Sequence, residues 1–199
     1  MNTTRKLMLA GFVLGLVLVA AWGCKNGDGK SKPKEKFFPA MFYIKNQVAK
    51  VDTSLYSIMR IDFVDSTHND TTYIRREQFK DAARDFLSLP DLNQDEYQDR
   101  FTEESTFDES IGRVMMIYTP KDAKEEVVQR QEVLIKPDTP EDKVTSIFIN
   151  TNQSNKDSSI ERKMLWTVDE SFQVTTTRQY PGQPEITSTY KVSWNESNE

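Results

Sequence analysis

Any chemistry in this chain has to be built from few residue types. There is one histidine, His68, in the stretch DSTHND, and one cysteine, Cys24, far from it along the chain. A Ser-His-Asp or Cys-His site would have to use His68 with a nucleophile brought from elsewhere. A zinc site would have one histidine and no second cysteine. The same stretch sets Asp65, Thr67 and Asn69 at the first, third and fifth places of a calcium loop. Asp70, however, stands where that loop needs glycine, and Arg76 where it needs a bidentate Glu. Asp, Ser and Asn bonding to their own backbone account for the stretch as a turn, with His68 a solvated turn residue.

A second candidate is acidic. Asp91, Asp95, Glu96, Asp99, Glu103, Glu104, Asp108 and Glu109 crowd one segment, and two carboxylates 5–10 Å apart are the acid and base of a glycosidase. Beside them stand only Tyr97, Phe101 and Phe107 as possible sugar platforms, and charge runs of this kind are ordinarily solvated faces. Of seven glycines, only Gly112 and Gly182 lie beyond residue 29. Phosphate-cradling loops and nucleophile elbows need clustered glycines, so nucleotide binding and α/β-hydrolase chemistry are not expected. The formal net charge is −5, and no cluster of Lys and Arg appears beyond residue 36, which argues against nucleic acid as a partner. The residues lead to no catalytic set, no metal site and no cofactor, and the protein is read as a non-enzyme.

Cys24 ends an export-like segment. Arg5 and Lys6 precede an uncharged run from Leu7 to Trp22, shorter than the roughly 20 residues a spanning helix needs. A basic start, a short apolar run and small residues at its end describe an export signal. Ala21-Trp22-Gly23-Cys24 resembles the lipobox of bacterial lipoproteins, whose signal is cut just before a cysteine that becomes lipidated. The resemblance implies a signal peptide over 1–23, lipidation of Cys24, and attachment to a membrane through the lipid. Lys25 after the cysteine implies the outer membrane by the same family's sorting rule. The alternatives are an uncleaved anchor helix with an incidental cysteine, and an ordinary cleaved signal. With the signal removed, 24 basic and 31 acidic side chains remain. A chain with no second cysteine has no intrachain disulfide and must rely on an apolar core.

Lys25–Lys36, KNGDGKSKPKEK, has no apolar residue and reads as a flexible spacer, spanning about 20 Å on average. Residues 24–36 are expected to be the cysteine, lipidated as the resemblance implies, and its tether, and 37–199 a single domain, expected as a monomer. Pro39 suits a first helical turn. Met41, Ile44, Val48, Val51 and Leu55 then follow at helical spacing. SIMRIDFV alternates, with Met59, Ile61 and Phe63 on the apolar side, and pairs across DSTHND with TTYIRR. REQFKDAARDFLSLP is a second helix stopped by Pro90, and Arg100 to Phe107 reads as an edge strand. RVMMIYT, apolar on both faces, reads as a central strand. EVVQRQEVLIK, KVTSIFINT, SIERKMLWTV, SFQVTTTRQ and EITSTYKVSW follow with short connections, which imply antiparallel neighbours. Trp166 and Trp194 fall on apolar faces and are expected to be buried.

The expected fold is α+β: an antiparallel β-meander of about six strands, plus an N-terminal hairpin, with two helices packed on one face. That architecture is similar to the lipoprotein-carrier proteins of the bacterial envelope, which hold acyl chains between a curved sheet and helices. The functional expectation is a membrane-anchored envelope lipoprotein with a non-catalytic binding or scaffolding domain. The alternative is a carrier of an apolar ligand between sheet and helices, lined by seams such as Met41/Ile44/Val48 and Ile160/Met164/Trp166. An envelope hydrolase comes third.

Overall fold

The computed structural model describes residues 36–65, 67–137 and 142–195. The expected signal over 1–23, Cys24 and the tether up to residue 35 lie outside the described residues. Among the described residues no helix is long and apolar enough to cross a membrane.

The described chain is mostly antiparallel sheet. In chain order it runs α1 (Ala40–Asp52), β1 (Ile58–Phe63), β2 (Asn69–Ile74), α2 (Arg76–Ala82) and α3 (Arg84–Leu87). A 3₁₀ turn (Asp95–Tyr97) follows, then β3 (Phe101–Asp108), β4 (Arg113–Pro120), β5 (Val128–Lys136) and β6 (Lys143–Ser154). The last three strands are β7 (Ser159–Thr167), β8 (Ser171–Gln179) and β9 (Ile186–Ser193). All nine strands form one sheet in the order β2-β1-β9-β8-β7-β6-β5-β4-β3. The expected count of about six strands plus an N-terminal hairpin is corrected to nine in one sheet. The edge strand expected over Arg100 to Phe107 is β3, and the hairpin joins the same sheet because β1 pairs antiparallel with β9, Arg60 opposite Val192. The strand β4 consequently lies next to the β3 edge, not at the centre.

The helices also differ from expectation. The spacing of Met41, Ile44, Val48 and Val51 does produce the buried stripe of α1, but the helix ends at Asp52 and Leu55 is 94% exposed beyond it. The second expected helix is two, divided at Ala83, where φ is −86° and ψ 3°. Around the break the Phe86 and Leu87 amides both donate to the Ala83 carbonyl. The Ala82 carbonyl, which an unbroken helix would offer to Phe86, accepts the Tyr190 hydroxyl instead, at 3.1 Å. A carbonyl partly withdrawn from water needs a partner, and here the partner comes from the last strand.

Directly opposed residues share a face of the sheet, so the registers lay the inner face out in rows. One row runs Met116, Val133, Ile147, Trp166, Phe172, Val192 and Arg60; the next runs Tyr118, Gln131, Ile149, Met164, Val174, Tyr190 and Asp62. Helix rings meet the first of these and the end of β9: Phe79 lies 5.9 Å from Phe172 and 5.0 Å from Trp194, just past the strand, and Phe86 lies 5.2 Å from Trp166. Trp166 and Trp194 are both buried. The face of β1 is the reverse of the one expected. Ile58 is buried, and Arg60 and Asp62 share the inner face with Val192 and Tyr190, which places Met59, Ile61 and Phe63 on the outer face. The partner strand, not the local alternation, sets this choice, because a register fixed by β9 dictates which residues turn inward.

Candidate functional site

The inner face changes character toward one end of the strands. Beyond the Met164–Val174–Tyr190 row comes Thr151, Arg162, Thr176 and Ser188, and beyond that Gln153, Ile160, Arg178 and Ile186. Arginine therefore occupies an inward position on each of β7 and β8, in line with the buried core residues of the same strands. Helix α3 sends Asp85 down to this region. Two clefts meet there, one of about 310 Å³ and one of about 480 Å³, and both are lined by Asp85 and Arg162.

The smaller cleft is lined by four arginines, Arg60, Arg84, Arg162 and Arg178, and three aspartates, Asp62, Asp81 and Asp85. Arg60 forms a fork on Asp62 with contacts of 2.9 and 2.7 Å, while its guanidinium lies 4.2 Å from the centre of the Tyr190 ring. The hydrogen bond and charge of Arg60 hold the Asp62 carboxyl below its ordinary range, and Asp62 in turn raises Arg60. Asp85 accepts the Tyr190 hydroxyl at 3.2 Å and lies 3.8 Å from Arg162, the two side chains 26% and 23% exposed. Arg84 pairs with Asp81 at 3.6 Å. Burial, then the nearby Asp85 charge, pushes the Tyr190 phenol well above its usual value, so it stays a neutral donor. Arg178 differs from the other three: its side chain has no hydrogen-bond or ion-pair partner among the described residues.

The larger cleft adds a second linked pair. Glu126, buried, accepts from Arg100, whose guanidinium lies 5.0 Å from the Tyr97 ring centre. Along its lining the Thr151 hydroxyl is buried with no hydrogen-bond partner among the described residues, a group that a bound polar atom would satisfy.

The residues singled out from sequence lie elsewhere. Asp65 accepts the amides of Thr67 and His68 at 2.8 and 2.9 Å, an Asx-type turn, and His68 is exposed beside Asp70 at 3.1 Å. Asn69 and Asp70 belong to β2, so the calcium spacing does not form one loop. The acidic segment is dispersed. Asp95 pairs with Lys36 at 3.5 Å, Glu103 and Glu104 are neighbours along β3 and point to opposite faces, and Asp108 closes the β3–β4 turn on Ser110. Among the described residues no group of three or more His, Cys, Asp or Glu is placed to hold a metal ion. Cys24 lies outside the described residues. The arginine groove escaped the sequence reading although a signal existed: in SIERKMLWTV, Ile160, Met164 and Trp166 alternate, and the inward place between the first two is Arg162.

Compared with protein-family models, with curated proteins and with solved structures, the chain gives no match.

Proposed function

We propose that this chain is a lipid-anchored protein of the cell envelope, held to the outer membrane through Cys24 and a tether over 24–36. Its monomeric domain, α1 and the broken α2–α3 pair packed on the inner face, binds a ligand in the groove without catalysis. The observation that carries the binding reading is the mutual engagement of charges along the groove. Asp62 is taken by Arg60, Asp81 by Arg84, and Asp85 by Arg162 and the Tyr190 hydroxyl. The part-buried members of this set, Arg60–Asp62 and Arg162–Asp85–Tyr190, hold their charges in place for recognition. General acid–base catalysis favours a group tuned toward neutral pH, whereas Asp62 is driven the other way. The rings of Phe79, Phe86, Trp166, Phe172 and Trp194 fill the space that an apolar cargo would occupy between helices and sheet. That supports the polar groove as the binding place over the carrier alternative.

The test is capture of ligand by the full chain from its native membrane, comparing wild type with Ser188→Trp, which sets a bulky ring on the groove wall. The reading expects a species retained by wild type and lost from the variant. Equal retention by both contradicts it.

A further inference from the structure

Arg178 sets the groove apart from an ordinary surface charge network. Three of the four arginines lining the smaller cleft have an aspartate each, and Arg178 has none. It is half-buried on β8, between the cross-strand neighbours Ile160 and Ile186, so apolar side chains flank it in place of a counterion. A charge taken partly out of water without a partner is costly, and the smaller cleft sets four arginines against three aspartates. The cleft is thus short of one anion.

The neighbours supply what such an anion needs. Thr176 lies two residues before Arg178 on the same face, with Ser188 directly opposite on β9, and both line the cleft. Arg162 stands opposite Thr176 on β7, diagonal to Arg178 at a spacing of about 7–8 Å, which two long side chains can close upon one ligand. Guanidinium presents its donors as a planar fork that matches the paired oxygens of carboxylate and phosphate. Because Arg162 is already met by Asp85 at 3.8 Å, its charge is oriented, and the incoming group has to neutralise Arg178 alone.

We infer that the groove is an oxyanion site: Arg178 is the principal charge, Arg162 the second donor, and the Thr176 and Ser188 hydroxyls complete the cradle for a phosphate or carboxylate group. This rests on the groove being where ligand binds. Ile186, 53% exposed beside Arg178, offers an apolar shelf for whatever carries the anionic head.

The test is titration of the full chain in a neutral detergent with inorganic phosphate, butyl phosphate and acetate, with sodium chloride at matched ionic strength as control. The readout is the arginine side-chain N–H resonances. The site predicts saturable shifts at Arg178 and Arg162 with at least one of the three oxyanions. Saturation by phosphate points to a free anion, tighter binding of butyl phosphate to a ligand with an apolar body, and saturation by acetate to a carboxylate. Arg178→Gln should weaken the binding about tenfold, the loss expected when one charge-assisted hydrogen-bonding group is removed. On the unmutated chain, the bound anion should slow modification of Arg178 by phenylglyoxal, which needs no folded variant. Shifts no larger than those from chloride, or equal affinity in Arg178→Gln, overturn the oxyanion site. If capture from the membrane still depends on Ser188, that failure leaves the groove itself standing as the binding place.

Discussion

The single Tyr190 O–H is shared between the main-chain carbonyl of Ala82 at 3.1 Å and Asp85 at 3.2 Å, so one side chain of the last strand ties a helix break to a groove carboxylate. Both partners lie more than 100 residues earlier in the chain. Removing the hydroxyl leaves the ring packing nearly intact while depriving the Ala82 carbonyl of its partner. Tyr190→Phe should cost about 1–3 kcal/mol in urea unfolding, the usual penalty for orphaning a part-buried acceptor. A loss under about 0.5 kcal/mol would show that water replaces the hydroxyl and that the bond does not define the helix break.

The core makes a larger claim. Trp166 is fully buried, stacked on Phe172 at 5.2 Å and met edge-on by Phe86. Trp166→Ala should destabilise the domain by about 3–5 kcal/mol, as for other large aromatic truncations. A change below about 1 kcal/mol would contradict the placement of this ring at the centre of the helix–sheet packing.

The strands and α1 were readable in advance because their information is local. Met41, Ile44 and Val48 recur at helical spacing, and the later strands alternate with short turns between them. What could not be read depends on partners distant in sequence. Nothing near Arg60 says that it will face Tyr190; Met59, Ile61 and Phe63 make the more apolar side locally, and only the β1–β9 register turns Arg60 inward. The helix break at Ala83 is likewise invisible in a stretch rich in helix formers, since the hydroxyl that takes up the Ala82 carbonyl there belongs to Tyr190, far along the chain. The groove joins Arg60 on β1 to Arg178 on β8, strands far apart in sequence that only β9 separates in the sheet. Arg162 at an inward position of an apolar alternation was the one local trace of it.

The Arg60–Asp62 pair makes stability depend on acid. Asp62 has a folded-state pKa below its ordinary 3.8 because Arg60 hydrogen-bonds to it. Its contribution is therefore fully present above about pH 4 and is lost as pH falls through the lower folded value. The pair is partly exposed, at 31% and 44%, so the contribution should stay below about 1 kcal/mol. Wild type should lose its advantage over Asp62→Asn as pH drops from 5 toward 2 in denaturant titrations (on the order of this window by linkage). A constant difference across that range would mean that the pair is not formed in solution.

The proposed anchor at Cys24 would decide where the groove is displayed. One acyl chain holds a protein to a bilayer only marginally, at K on the order of 10⁴ M⁻¹, so durable attachment calls for more than one chain on Cys24. Cys24→Ser should release the protein from the membrane fraction or leave an unprocessed precursor. The most direct measurement is intact and peptide mass spectrometry of the wild-type protein from its native membrane, after growth with labelled fatty acid. Lipidation at Cys24 predicts a chain that begins at Cys24, carries label there, and has no free thiol. A chain that begins at Met1, or a membrane-bound chain with a free Cys24 thiol, would contradict it.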